Sequence, residues 1–241
     1  MHLAPLHLAN GLRHPEGGED QAERPETMTA RTLKLYIDYK SPYAYLAKDP
    51  AYDLERETGV RLEWLPYTLD IPSFLGSARV NAEGVVEEES RNQHQWRRVR
   101  YSYMDCRREA NRRGLTILGP KKIFDSSLAN IGLLYAKRYG VFRAYNDLTF
   151  ERFWKRELDI ERPNEIAAVL AQAGADATDF AAFAADQGRR ELKELEREAQ
   201  AAGVFGVPSF LLADGDLYWG REHLPHLREL FSRPATAPHP A

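Results

Sequence analysis

Cysteine is scarce in this sequence: Cys106 is the single cysteine among 241 residues. One thiol cannot close an internal disulfide, and it cannot supply a two-cysteine redox centre. The sequence therefore excludes a disulfide-stapled secreted domain and argues against a dithiol oxidoreductase. A chain with one cysteine fits a reducing compartment, so we expect a cytoplasmic protein.

A strong net charge and long apolar runs are also missing. The formal net charge is −3, which gives no electrostatic reason to expect nucleic-acid binding. No apolar run approaches the roughly 18 residues that a membrane span needs, and no glycine-rich phosphate loop is present. The seven histidines form no ligand set, and the closest pair, His223 and His226, has no clear third ligand. We therefore expect no nucleic acid, membrane or metal partner.

The two ends of the chain have no persistent hydrophobic periodicity. Residues 1–30 are dominated by Pro, Gly, Glu and His, and residues 233–241 repeat that composition. The first segment is predicted to be a disordered tail and the second a loose tail. Pro5 and His7 interrupt the first apolar residues, so a secretory signal is not expected. Met28 is an alternative start, because the periodic pattern begins just after it.

The clearest local pattern lies in residues 33–47. Apolar residues at alternate positions predict a strand over 33–39. Ser41 is a favoured N-cap and Pro42 suits the first helical position, so a helix is predicted to follow and to run to residue 58. Free N–H groups and the positive end of the helix dipole would then converge at Ser41 and stabilise a thiolate or another anion. Ser-Pro is also common at the start of helices that have no functional site, so the motif taken alone does not establish one.

A second informative stretch runs from residue 201 to residue 219. A helix ends at Gly203, and Val207-Pro208 introduces an apolar strand over 209–212. Asp214-Gly215-Asp216 is typical of a hairpin turn that leads to a return strand over 217–219.

Between these stretches, alternation over 60–65 predicts a strand parallel to the first one through the crossover helix. Residues 71–84 contain Pro72, Gly76 and Gly84 and are predicted to form a loop. Residues 87–188 are predicted to be helical, with aromatic stripes that are typical of a core.

A basic, tyrosine-rich run occupies residues 95–108. Acidic residues at 87–89, 105 and 109 dilute its charge and favour a solvated amphipathic helix over a nucleic-acid patch. A third interpretation is that one or two of its Arg or Tyr side chains face a cleft and meet a carboxylate. Cys106 lies within the run. It is either a buried small residue or a thiolate whose pKa is lowered by Arg107 and Arg108.

The Ser-Pro and Val-Pro stretches together resemble one branch of the thioredoxin fold. This branch holds the DsbA-like oxidoreductases, the kappa-class glutathione transferases and the 2-hydroxychromene-2-carboxylate isomerases. Residues 41–46, SPYAYL, resemble the transferase and isomerase pattern, whereas the oxidoreductases carry C-x-x-C at this place. Gly203-Val-Phe-Gly206 precedes Val207-Pro208, as the resemblance requires. The peptide bond at Val207-Pro208 is expected to be cis and to lie within about 10 Å of Ser41.

The resemblance implies an α/β, thioredoxin-like fold (βαβ…ββα) with a large all-helical insertion. Residues 31–70 and 187–232 are predicted to form the thioredoxin-like domain, and residues 71–186 the inserted helical domain.

The resemblance also implies roles for particular residues. Ser41 would support the thiolate of glutathione or another low-molecular-weight thiol, and Val207 and Pro208 would pair with its peptide backbone. The family binds the γ-glutamyl end through Gly-x-Asp, and this chain has Gly220-Arg221-Glu222 there. Glu replaces Asp and Arg221 is added, so the identity of the thiol stays open.

Two functions from different classes follow from these observations. The first is a thiol-dependent isomerase or transferase that acts on a small, aromatic, electrophilic substrate. The second is a thioredoxin-fold module that lacks the C-x-x-C pair and binds a peptide or a partner protein. A DsbA-like oxidoreductase is disfavoured by Ser41 and Ala44. A homodimer is a further expectation.

The single cysteine generates a first testable prediction. One thiol cannot cycle between dithiol and disulfide, so the purified protein is expected to reduce insulin and to refold a reduced, disulfide-containing substrate at the uncatalysed rate. Either activity above background would contradict the prediction.

Overall fold

A computed structural model describes residues 31–232 of the chain, apart from 82 and 84. The predicted tails, 1–30 and 233–241, and the alternative start at Met28 lie outside these residues. The division into domains at residues 70 and 187 stays a prediction.

The centre of the molecule is a mixed four-stranded sheet. Strand β1 (Thr32–Ile37) pairs in parallel with β2 (Arg61–Pro66) and antiparallel with β5 (Ser209–Leu211). Strand β6 (Leu217–Trp219) pairs antiparallel with β5, which gives the order β2-β1-β5-β6. This arrangement confirms the predicted thioredoxin-like sheet and the four predicted strands.

Helix α1 (Pro42–Thr58) crosses from β1 to β2. Pro42 supplies a preset φ at the first helical position, where its missing N–H costs nothing. The helix ends at Gly59, whose φ of 69° is left-handed, and the Gly59 N–H donates to the Glu55 carbonyl. The helix is therefore fixed at both ends by local sequence, as predicted.

The remaining helices follow mainly from apolar periodicity. The helix that begins at Gln93 has a capping box at Asn92, whereas the helices that begin at residues 127, 142, 163, 180 and 187 have no side-chain N-cap hydrogen bond among the described residues. Of these, α4 and α8 pack against each other, and α9 packs on α1. Residues 221–223 form a 3-10 turn immediately before α9. The bounds are α3 (Gln93–Arg112), α4 (Ser127–Arg138), α5 (Phe142–Trp154), α6 (Pro163–Ala173), α7 (Phe180–Ala185), α8 (Gln187–Ala201) and α9 (Leu224–Ser232).

The structure corrects the prediction in one segment. Residues 71–84 are not a plain loop, because they contain helix α2 (Ile71–Leu75) and strand β3 (Ala78–Val80). Strand β3 pairs antiparallel with β4 (Val86–Glu89), so the insertion is not all-helical and helix α3 begins six residues later than predicted.

The physical reason for this correction is a local hairpin. The Asn81 side chain accepts the backbone N–H groups of Glu83 and Val85 and so makes the turn. Arg79 then pairs with Glu88 across the strands at 2.5 Å. Glutamate is a good helix former, but here the cross-strand partner and the valines decide the local structure.

Aromatic side chains join the sheet to the helices. The Phe150 ring lies 4.7 Å from the Tyr39 ring and 5.4 Å from the Tyr45 ring, measured between centroids. Tyr39, Phe150 and Trp154 are fully buried. The predicted aromatic stripe of α5 is therefore core.

Removal of the Phe150 ring tests this junction. We expect Phe150→Ala to lower the free energy of unfolding by about 3–5 kcal/mol, since a large buried ring is lost and a cavity is left. Urea unfolding measures the change.

Tyr101→Ala is the matched control, because its ring is 58% exposed on α3. We expect it to change stability by less than about 0.5 kcal/mol. Equal losses in the two variants would show that the ring cluster does not hold the sheet to α5.

Candidate active site

Ser41 lies at the point where the turn after β1 delivers the chain to α1. It is the N-cap of the helix, and its Oγ accepts the Ala44 N–H at 3.2 Å. Its hydroxyl donates to the Val207 carbonyl at 3.4 Å. The residue is 4% exposed and lines the main cavity. Ser41 therefore carries a hydroxyl group that joins the helix start to a segment 166 residues further along the chain.

The Val207-Pro208 peptide bond is cis, as predicted, and lies against Ser41. The Pro208 carbonyl accepts the Gly220 N–H at 2.9 Å. The Ser209 hydroxyl donates to the Gly206 carbonyl at 2.7 Å, which secures the turn before β5. The predicted pairing of the two motifs is confirmed.

Gly220, Arg221 and Glu222 also line the cavity. Gly220 has a φ of 115°, and a Cβ added there would lie 2.3 Å from Glu222 Oε2. The positive φ therefore requires glycine at this position, whereas the Glu222 carboxylate lies at the end of a flexible side chain that can move aside. The Arg221 guanidinium turns the other way, over the Tyr43 ring and towards Asp105.

The cavity between the sheet and the inserted helices has a volume of about 1230 Å³. Part of the predicted basic run lines it, including Arg98, Tyr103 and Arg107. The cleft-facing interpretation of the run is thus confirmed, while its contact with a carboxylate stays a prediction. The cationic lining residues are Lys40, Arg91, Arg98, Arg100, Arg107, Lys121, Lys122 and Arg221, against the acids Asp105 and Glu222.

Asp38 lies directly behind Ser41 and is fully buried. Its carboxylate accepts the Lys40 N–H at 3.3 Å and the Leu69 N–H at 2.8 Å, and the Lys40 ammonium lies 3.7 Å away. Burial raises the pKa of this carboxyl, and Lys40 and the two N–H groups offset part of the rise.

The sequence analysis missed Asp38 and Asp105. Asp38 occupies one of the polar positions in the alternating pattern of β1, and such a position is predicted to face solvent. The alternation stops at the strand end, and no local signal marks that point. Asp105 belongs to a charged run in which no residue stands out from its neighbours.

Cys106 is buried on α3, and burial raises the pKa of its thiol to about 12. The interpretation as a buried small residue is confirmed, and the interpretation as a reactive thiolate is wrong. The rise in the thiol pKa caused by desolvation outweighs the lowering caused by the Arg107 charge, because the thiolate would lie away from water.

Within residues 31–232, no group of three His, Cys, Asp or Glu side chains is placed to hold a metal ion. No helix in the same span is both long and apolar enough to cross a membrane.

The fold and the cavity define a thioredoxin-fold protein with a serine at the start of helix α1. The DSBA-like thioredoxin domain family matches residues 32–232, and the chain belongs to that family.

Curated relatives carry the name 2-hydroxychromene-2-carboxylate isomerase. The one from Sphingobium xenophagum is 27% identical over 198 residues, which is 82% of this chain and 96% of the relative. The one from Pseudomonas putida is 26% identical over 205 residues, 83% of this chain and 94% of the relative. A solved structure of a 2-hydroxychromene-2-carboxylate isomerase is similar with a TM-score of 0.65 and 22% identity, covering 83% of this chain and 93% of its own.

The raised pKa of Asp38 predicts a pH-dependent stability. The folded state keeps the proton to a higher pH than the unfolded state, so this group lowers the free energy of unfolding as pH rises from about 4 through the raised pKa. The side chain introduced by Asp38→Asn cannot ionise, so the variant lacks this pH-dependent change in the free energy of unfolding. The variant also loses one of the two accepted N–H groups, but it does so at every pH.

Urea unfolding of both proteins between acid and neutral pH measures the effect. The difference in stability is expected to move in favour of Asp38→Asn as the pH rises. A difference that is constant with pH would contradict the raised pKa.

Proposed function

We propose that this protein is a thiol-dependent isomerase, similar in activity to its relatives named 2-hydroxychromene-2-carboxylate isomerase. Glutathione or another low-molecular-weight thiol is the proposed cofactor, and a small aromatic electrophile is the proposed substrate. The observation that carries the proposal is the Ser41 hydroxyl, placed at a helix start and lining a cavity of small-molecule size.

The residues of the cavity fit such a thiol. The start of α1 and the Ser41 hydroxyl suit a thiolate. The backbone at Val207 suits a short strand-like pairing with a peptide, and the Glu222 carboxylate folded over Gly220 suits an ammonium group. The cationic lining suits carboxylates.

Ser41 would act by changing the acceptor of its hydrogen bond. Its hydroxyl donates to a neutral carbonyl at 3.4 Å, which is longer than the usual O–H···O distance and marks a weak bond. An anionic sulfur would attract the same proton more strongly, since bonds to ionised acceptors are stronger than bonds to neutral ones. The Ala44 N–H holds Oγ in place during the change.

When bound, a thiol supplies a thiolate that can add to an unsaturated ketone and leave again after rotation about the resulting single bond. The protein's contribution is to hold the thiolate form near neutral pH and to keep both ligands in a cavity with restricted access to water. A transferase would use the same residues with an irreversible addition.

One observation favours a second candidate function, a peptide- or partner-binding module. Phe205 and Trp219 are 60% and 50% exposed, with ring centroids 4.9 Å apart, next to the Val207-Pro208 bond. Exposed aromatic pairs of this kind are common at binding surfaces. Saturable glutathione binding separates the two candidates. A cytoplasmic location and a homodimer remain part of the proposal.

Replacement of Ser41 tests the proposed role. Loss of a charge-assisted hydrogen bond of about 1.5–3 kcal/mol is expected to raise the pH at which bound glutathione ionises by about 1–2 units in Ser41→Ala. The ultraviolet absorbance of the thiolate, recorded against pH at saturating glutathione, measures the change.

Asn92→Ala is the matched control. Asn92 is the N-cap of α3 and accepts the Gln95 N–H at 2.9 Å, and it does not line the cavity. Both variants are expected to lose about 0.5–2 kcal/mol of stability, but Asn92→Ala should leave the thiolate titration unchanged. Superimposable titrations for wild type and Ser41→Ala would leave Ser41 as a simple N-cap.

A further inference from the structure

Arg221 and Asp105 form an ion pair across the cavity. Arg221 directly follows Gly220 after β6, on the side of the sheet, whereas Asp105 lies on α3 of the inserted helices. The Arg221 Nη2 to Asp105 Oδ2 distance is 3.4 Å, and the side chains are 25% and 32% exposed. A long, partly solvated ion pair is weak and exchanges readily with other partners.

The other end of the guanidinium has no partner. Nη1 of Arg221 is buried and makes no hydrogen bond within the described part of the chain. A guanidinium carries five N–H donors in a fixed plane and binds carboxylates through two of them at once. A buried donor without an acceptor is costly, so this atom favours an arriving acceptor.

The ring of Tyr43 fixes the direction of the guanidinium. The Arg221 Cζ lies 5.5 Å from the centroid of that ring, within the range of a cation–π contact. Tyr43 is two residues from Ser41, so the guanidinium is held on the cavity side of the active helix start.

Several other cations of the cavity are engaged with their own surroundings. Arg91 donates to the carbonyls of Leu75 and Gly76, Arg107 donates to the carbonyl of Ile117, and Lys122 pairs with Glu161. Arg221 differs from them in the described part of the chain, because one of its nitrogens, Nη1, is buried without an acceptor and its charge partner is weakly held.

Arg221 and Glu222 diverge, although they are neighbours. Glu222 stays against Gly220, where the proposed thiol would lie, whereas Arg221 reaches towards α3. The two residues of the Gly-Arg-Glu segment are thus placed to serve different ligands.

We propose that Arg221 binds the carboxylate of the second, electrophilic ligand, and that Asp105 occupies the guanidinium until this ligand arrives. The incoming carboxylate would accept from Nη1 and displace Asp105 from Nη2, which gives a two-point contact. The proposal deepens the proposed function, on which its assignment to a co-substrate rests, and it assigns Arg221 to the co-substrate rather than to the thiol.

Binding of trans-cinnamate to the full-length protein tests this assignment, with cinnamamide as the uncharged analogue. Isothermal titration without any thiol measures both affinities. Arg221→Gln is expected to bind cinnamate about ten- to a hundredfold more weakly and to lose the preference over cinnamamide. Asp105→Asn is expected to bind cinnamate about two- to fivefold more tightly, since the competing carboxylate is gone.

Arg98→Gln is the charge-matched control. Arg98 lines the same cavity, so this variant lowers the local charge by the same amount as Arg221→Gln. If Arg98→Gln loses only a little affinity for cinnamate and keeps its preference for cinnamate over cinnamamide, the result supports the proposal. Circular dichroism and thermal unfolding confirm that each variant is folded.

Three results would overturn the inference. The first is cinnamate binding that is weaker or unchanged in Asp105→Asn. The second is an equal loss of cinnamate affinity in Arg221→Gln and Arg98→Gln. The third is a loss of glutathione binding in Arg221→Gln while cinnamate binding is unchanged. The last result would leave the proposed function intact. The expected cinnamate results without binding of glutathione or any other small thiol to the wild type would instead refute the thiol-dependent function and keep Arg221 as a carboxylate receptor.

Discussion

A buried carboxylate holds together the two loops on which the site depends. Asp38 accepts N–H groups from Lys40, just before the active helix, and from Leu69, just after β2. Its backbone carbonyl accepts the Ser41 N–H at 3.0 Å. A carboxylate excluded from water must keep its partners, so the two loops cannot separate without leaving it unpaired. The position of the Ser41 hydroxyl is therefore set by a group that never contacts the cavity's contents.

The cavity draws on two parts of the chain with different chemistry. The start of α1 supplies the Ser41 hydroxyl and the segment before β5 supplies the Val207-Pro208 backbone, and both groups are neutral. The inserted helices supply much of the positive charge, from side chains such as Arg98 and Arg107. The aromatic contacts of Phe150 join the two parts. The serine hydroxyl and much of the positive charge can thus vary independently, because they lie on different elements.

The sequence alone was sufficient for the features that have local causes. The β1 alternation, the Ser-Pro helix start and the Val-Pro strand start each leave a pattern within a few residues, and the resemblance brought the last two together. The β3–β4 hairpin was missed because Glu87 and its neighbours suit helix or strand, and a partner across the turn decides between them. Asp38 and Asp105 were missed because the burial of one and the ion pair of the other depend on residues distant in sequence.

The contact between Ser41 and Val207 also bears on how the protein is made. The two residues are separated by 166 positions, so the ribosome has released all of the chain between them before they can meet. The central strand β1 likewise waits for β5, and one of its edges is unpaired until then. Such long-range pairing is slow compared with helix formation. The inserted helices can therefore form before the cleft is complete, and a chain that stops before Val207 carries the serine without the segment that faces it.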